Sequence, residues 1–345
     1  MHVVDHTALA PFTTLRLGGV ARRIVHVERE SEIVAAVREV DLRRESLLVL
    51  GGGSNLVIGD EGFAGTVVHI GTRGRTAERE GDHVLVTAQA GEPWDAFVSA
   101  AVVDGLVGVE CLAGIPGLVG ATPMQNVGAY GQDVSDTIVS LRALDRETGE
   151  IVRFSQADCA FAYRSSIFRG KDRHVILDVT FALTPGAESA PIRYAELARA
   201  LGVAQGARAP LALVRETVVE LRRKKGMVLD PSDPDTASAG SFFTNPILDA
   251  AGLEALKALA PTVPVFPEHD GRSKVSAGWL IENAGFAKGF GEGRARVSSK
   301  HALALTNRGG TTAELVALAR TIRDGVKARF GVTLENEPVF VGVSL

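Results

Sequence analysis

The segment Gly114-Ile-Pro-Gly-Leu-Val-Gly-Ala-Thr-Pro-Met-Gln-Asn-Val-Gly-Ala-Tyr-Gly131 carries five glycines and two prolines. Proline fixes φ and removes a backbone donor, and glycine opens conformations closed to other residues, so no regular helix or strand runs through this stretch. The fold must therefore be arranged around a long shaped loop, at about residues 111–131, and connections of that length are usually functional when they are ordered. Gln125 and Asn126 bring amide donors and acceptors into it. As bare chemistry this suits an extended cofactor lying against backbone; a structural Ω-loop is the alternative.

A second glycine cluster, Gly51-Gly52-Gly53-Ser54-Asn55, follows the strand-like run Leu47–Leu50 and precedes another at Leu56–Ile58. Consecutive glycine amides can point into one concavity and approach a phosphate closely, which makes the cluster an anion nest or else a plain tight turn. No Gly-Lys-Ser/Thr follows, which excludes a P-loop, and no GxGxxG opens a helix, which excludes the Rossmann fingerprint. A dinucleotide would have to be held in another way.

Around these loops the pattern reads as α+β. Ser31 followed by Glu32 to Val40 predicts a capped helix, and strands are expected at 66–70 and 83–87. An apolar helix runs from Pro93 toward Gly105. A hairpin joins Val139–Leu144 to Ile151–Phe154, and a further strand covers Val175–Leu183. Pro210 opens a helix ending in Arg222-Arg223-Lys224-Lys225, a basic run read as a solvated helix end that complements the dipole. Asp230 to Asp235 cannot continue a helix and reads as a mobile connector. Helices are expected near 249–259 and 275–283, and Thr311 with Glu314 forms a capping box for a helix whose Leu315, Leu318, Ile322 and Val326 share one stripe.

With 345 residues, of which 46% are hydrophobic, the chain can bury two or three cores. A net charge of −4 and the lack of a basic stripe argue against nucleic acid as a partner. Cys111 and Cys159 show no metal spacing and read as core thiols. The eight histidines form no ligand pair, so no metal is expected. Neither an export leader nor a membrane-spanning run is evident, and the expectation is a cytoplasmic protein.

Two more polar clusters sit among apolar residues: Tyr163-Arg164-Ser165-Ser166 and Ala239-Gly240-Ser241-Phe242-Phe243-Thr244-Asn245-Pro246. Arg164 could fork onto a substrate carboxylate or serve a structural ion pair. Ser241 could be a proton donor in a partly dry pocket or merely cap a turn; no Gly-x-Ser-x-Gly elbow surrounds it.

In order and spacing these clusters, with Thr13 to Gly19 and Ala277-Gly278-Trp279-Leu280-Ile281, resemble the UDP-N-acetylenolpyruvoylglucosamine reductase family over nearly the whole chain. The resemblance implies a vanillyl-alcohol-oxidase-like, PCMH-type FAD-binding fold. Its two subdomains would span 1–75 and 76–225, followed by a smaller substrate-binding domain at 226–345 whose last strand could return to the first subdomain. It implies non-covalent FAD, NADPH as electron donor, a UDP-sugar substrate and a monomer. Cofactor contacts would come from Thr14, from Gly51, Gly52, Gly53, Ser54 and Asn55, and from Ile115, Pro116, Gly117, Gly120 and Thr122. Gln125, Asn126, Gly128, Ala129 and Tyr130 complete that set. Tyr194 resembles the family's substrate-closing tyrosine, Lys225 the lysine near the substrate's diphosphate, with Lys224 as the alternative, and Asn245 a substrate-binding asparagine. Arg164, Ser241 and Glu337 take the catalytic roles, Ser241 as proton donor, with Glu335 as the alternative to Glu337.

Overall fold

Three aromatic side chains, Trp94, Phe97 and Phe181, meet with ring centroids 4.8–5.9 Å apart in the interior of the first of two units into which the chain divides. The computed structural model describes every residue except His269. The first unit comprises Met1–Thr7, Ala21–Gly53 and Ala64–Lys224; the second comprises Ala8–Val20, Ser54–Phe63 and Lys225–Leu345.

In the first unit, one sheet runs in the order His2–Ala8, Val20–Val27, Phe63–Ile70, Leu47–Leu50, and its last two strands are parallel. The helix Glu30–Leu42 connects the second strand to the fourth. Its cap differs from the sequence expectation: Ser31 lies inside the first turn, and Arg29 is the N-cap without a side-chain bond. Glu32, in the first turn, accepts the Glu28 N–H ahead of the helix at 2.9 Å and the terminal amine at 2.7 Å. Those donors hold its carboxyl down at about 2, against the usual carboxylate range.

The larger sheet is antiparallel, with the order Ile151–Ser155, Ile138–Asp145, His174–Pro185, His83–Gln89, Arg75–Glu80. His174–Pro185 lies at its centre and is almost continuously buried, as a strand covered on both faces must be. Arg75–Glu80 forms the edge, wholly exposed and rich in charge, which blocks edge-to-edge pairing with other chains. Helices Trp94–Val103 and Leu211–Lys224 bury their apolar faces in the same core.

The second unit holds two three-stranded sheets, Ser238–Ser241, Ala304–Asn307, Ala295–Val297 and Ile247–Leu248, Ser273–Val275, Val265–Pro267. Val339–Val341 pairs in parallel with Leu56–Ile58. Helix Thr312–Phe330 starts with the expected capping box and is held further by Asp60, whose carboxylate accepts the Thr312 and Ala313 N–H groups at 2.8 and 2.9 Å. The stretch Asp230 to Asp235 is an ordered part of this unit, which corrects the expectation of a mobile connector. Asp235 is buried and pairs with Arg308 at 2.7 Å, and Asp233 pairs with Lys300. The preceding helix ends at Lys224, and carboxylates matched to basic partners fix the chain here.

Candidate flavin and substrate site

The two glycine loops of the first unit touch backbone to backbone. A Cβ placed on Gly52 would lie 2.9 Å from the Gly117 Cα, and one on Gly51 would meet the Leu118 side chain at 3.4 Å. The N–H groups of Gly51, Gly52 and Gly53 have no backbone carbonyl partner among the described residues. Adjacent glycine amides without a backbone carbonyl partner suit the oxygens of a pyrophosphate, so these residues fit that group.

The start of helix Trp94–Val103 fixes the second loop. Trp94 donates its backbone N–H to Gly117 at 3.0 Å and its indole N–H to Leu112 at 2.9 Å. Asp95 accepts the Gly114 N–H at 2.6 Å and pairs with Arg215 at 3.3 Å. Further along, the Thr122 hydroxyl donates to the Val119 carbonyl, Ser166 donates to Met124, and a Cβ on Gly120 would lie 2.5 Å from that of Ala90. Asn126 spends both ends of its amide on protein: Nδ2 donates to Ala162 and Oδ1 accepts from Ser135, each at 3.1 Å. Its side chain thus staples the loop.

Three residues here adopt left-handed backbone conformations without being glycine: Asn126 at φ 48°, Tyr130 at 49° and Arg164 at 49°. Such conformations cost about 1–3 kcal/mol each and concentrate at functional sites. Arg164 donates to the carbonyls of Gly128 (2.6 Å) and Asn126 (3.4 Å), faces Asp133 at 3.7 Å, and has its Cζ 5.3 Å from the Tyr163 ring centroid. The structure thus brings Arg164 onto the 126–128 loop. Tyr130 is buried, and its phenol is pushed up to about 12 by that burial. Tyr194 is 44% exposed and stands edge-on to Tyr130 at 5.5 Å, at the N-cap of helix Ala195–Leu201. Burial of its ring face also raises its hydroxyl pKa.

Arg222 corrects the reading of the basic run as a solvated helix end. It is buried, and desolvation pushes its guanidinium down to about 10, against a partial offset from Tyr130 and Asp95. The signal for this was present: Val214, Val218 and Arg222 recur every four residues on the buried face of their helix. Lys224 is exposed and pairs with Glu220 one turn back at 2.6 Å, whereas Lys225 is half-buried.

In the second unit, Ser241 ends a strand whose register against Ala304–Asn307 shifts between Ser238 and Ser241. Gly240 makes the shift possible at φ 71°, where a side chain would be strained although nothing lies within 4 Å of its Cβ position. The chain after Ser241 pairs with the C-terminal acidic segment. Phe243 bridges Asn336, the Glu337 N–H donates to Phe242 at 2.9 Å, and the Thr244 N–H donates to Glu335 at 3.0 Å. Glu337 therefore stands opposite Phe242, next to Ser241, and is half-buried, while Glu335 stands opposite Thr244 and is exposed. Asn55 joins the same cluster: its side-chain amide donates to the Glu337 carbonyl at 3.5 Å and its carbonyl accepts the Val339 N–H at 2.9 Å. Thr14 donates its hydroxyl to the Ser238 carbonyl at 2.6 Å, and Asn245 accepts the Ala277 N–H at the start of helix Ala277–Asn283. Among the described residues there is no group of His, Cys, Asp and Glu arranged to hold a metal, and no helix long and apolar enough to cross a membrane.

Residues 21–155 match the family model described as FAD binding domain, and the chain is a flavin-dependent oxidoreductase. Residues 230–341 match the C-terminal domain model of UDP-N-acetylenolpyruvoylglucosamine reductase, and the chain belongs to that family. It is 57% identical to the reductase of that name from Thermobifida fusca (strain YX), covering 98% of this chain and 97% of that one. It is 56% identical to the one from Streptomyces coelicolor, with 98% and 90% covered. The crystal structure of UDP-N-acetylenolpyruvylglucosamine reductase from Thermus caldophilus shares the fold at a TM-score of 0.68 and 24% identity, covering 99% of both chains.

Proposed function

We propose that Arg164, Ser241 and Glu337 carry the reductase chemistry of this chain, which reduces the enolpyruvyl group of UDP-N-acetylenolpyruvoylglucosamine to give UDP-N-acetylmuramate for peptidoglycan synthesis. The observation that carries this reading is the pairing of the Ser241–Thr244 and Glu335–Glu337 segments, which sets Glu337 beside Ser241 and ties it to Asn55 at the end of the first glycine loop.

The chemistry a bound FAD would supply is hydride transfer, with NADPH as the donor and the substrate's carbon–carbon double bond as the acceptor. Gly51 to Asn55 and the segment from Ile115 to Tyr130 would hold FAD, chiefly through backbone amides. Hydride addition leaves negative charge spread from the substrate carbon into its carboxylate. Arg164 stabilises that charge with a permanent cation. Glu337 can assist as a hydrogen-bond donor in its protonated form. Ser241 then delivers a proton to carbon; a hydroxyl is a weak acid, but the enolate it meets is strongly basic. Lys225, with Lys224 as the alternative, faces the substrate diphosphate. Tyr194 and Asn245 complete the substrate contacts. Residues 1–75 and 76–225 serve as the cofactor subdomains, except that Ala8–Val20 and Ser54–Phe63 fold with the second unit, and 226–345 serve as the substrate domain, in a cytoplasmic monomer.

The test separates the two half-reactions. The anaerobic protein is bleached with NADPH and then mixed with the enolpyruvyl UDP-sugar. Ser241→Ala is expected to bleach normally and to recover its flavin colour about 10²–10⁴-fold more slowly. Recovery at the unaltered rate sinks the assignment of Ser241.

A further inference from the structure

Arg164 sits at the corner of a tight turn closed by reciprocal N–H···O bonds between Ala162 and Ser165, each 3.1 Å. Its guanidinium reaches from there to a small hairpin in which Asp133 is paired with Gly128. Residue 128 must be glycine for this meeting: a Cβ there would lie 1.6 Å from Asp133 Oδ1 and 3.0 Å from Arg164 Nη1. The acceptors at Gly128 and Asn126 are neutral carbonyls, while Asp133 brings a compensating negative charge. At 3.7 Å this contact lies beyond hydrogen-bond range and acts on the cation through charge. In a half-buried site that attraction is stronger than at an open surface.

We infer that Asp133 is the positioning residue of Arg164. It holds the guanidinium over Gly128, aligned to receive the carboxylate of the enolpyruvyl group, and the absent side chain of Gly128 is the space that lets the two charges meet. The inference rests on the reading of Arg164 as the group that stabilises substrate charge. Asp133 also belongs to the local turn, where Asp136 accepts its backbone N–H at 3.3 Å, so the test must distinguish positioning from folding.

The experiment compares Asp133→Asn, Asp133→Glu, Arg164→Lys and the Asp133→Asn/Arg164→Lys pair in stopped flow. Asp133→Asn is expected to retain bound flavin and the NADPH half-reaction, while reoxidation by the enolpyruvyl UDP-sugar slows about tenfold and the apparent substrate affinity falls. Asp133→Glu should recover part of the lost rate. The double variant should be no slower than Arg164→Lys alone, since a positioning residue has nothing left to position. Unchanged reoxidation in Asp133→Asn, equal loss of both half-reactions with no recovery in Asp133→Glu, or multiplying effects in the double variant each overturns the inference. Unchanged reoxidation in Arg164→Lys instead overturns the reading of the site.

Discussion

Two glycines show how a single missing side chain can serve different steps. Gly52 is required by proximity: the Gly117 backbone lies where its Cβ would be, at 2.9 Å. Gly240 is required by conformation, since its φ of 71° is left-handed while the space around it is open. Gly52→Val is therefore expected to part the two loops and weaken FAD binding by at least about tenfold, with binding read by flavin fluorescence on reconstitution. Gly240→Val should keep the flavin and slow its reoxidation by substrate, because the bulge that presents Ser241 is disturbed. The reverse pattern of losses would refute this division of labour. The motifs around both glycines stood out in sequence, since composition reports backbone demands directly. Arg222 and Asp133 did not stand out. The first was hidden in a basic run whose helical register had to be counted, and the second meets Arg164 only through the fold.

At the scale of elements, helix Thr312–Phe330 depends on a start signal from two separate places in the chain. Thr311 and Glu314 supply the local capping box, and Asp60 supplies a carboxylate to two further N–H groups. Each cap contributes about 1 kcal/mol, so Thr311→Ala and Asp60→Ala should each lower the urea midpoint, and the pair should lower it more than either alone. A midpoint unchanged in Asp60→Ala would show that water replaces the carboxylate without loss. The capping box was legible from spacing, as were Leu47–Leu50 and Leu56–Ile58, short apolar runs bounded by glycine or polar residues. His2–Ala8 and Arg75–Glu80 were not, because both are largely exposed edge strands without an apolar period of two. Pairing with a neighbour holds such strands, and a single sequence carries little trace of it.

For the molecule as a whole, the same burial that builds the core of the first unit makes stability depend on pH. His26 and His69 lie on neighbouring strands with their Nδ1 atoms 2.9 Å apart, and one must donate to the other as neutral rings. Burial lowers the pKa of both. His2 adds to the effect on His26, while His26 and then Arg73 add to it on His69. His174 is lowered as well, first by burial, although Asp145 beside it pulls the other way. An unfolded histidine titrates near about 6.5, so below that pH the unfolded chain binds more protons than the folded one, and stability falls as pH drops. Glu32 and Asp145, held at about 2 by their donors, add a second loss with the same sign at lower pH, as acid neutralises carboxylates that the folded chain keeps ionised. The urea midpoint should accordingly be level above about pH 7.5, begin to fall as pH drops through about 6.5, and fall again below about pH 4.5. Replacing both His26 and His69 with glutamine should flatten most of the first step and leave the second in place. If the first step survives that double replacement undiminished, the histidine pair is not its source.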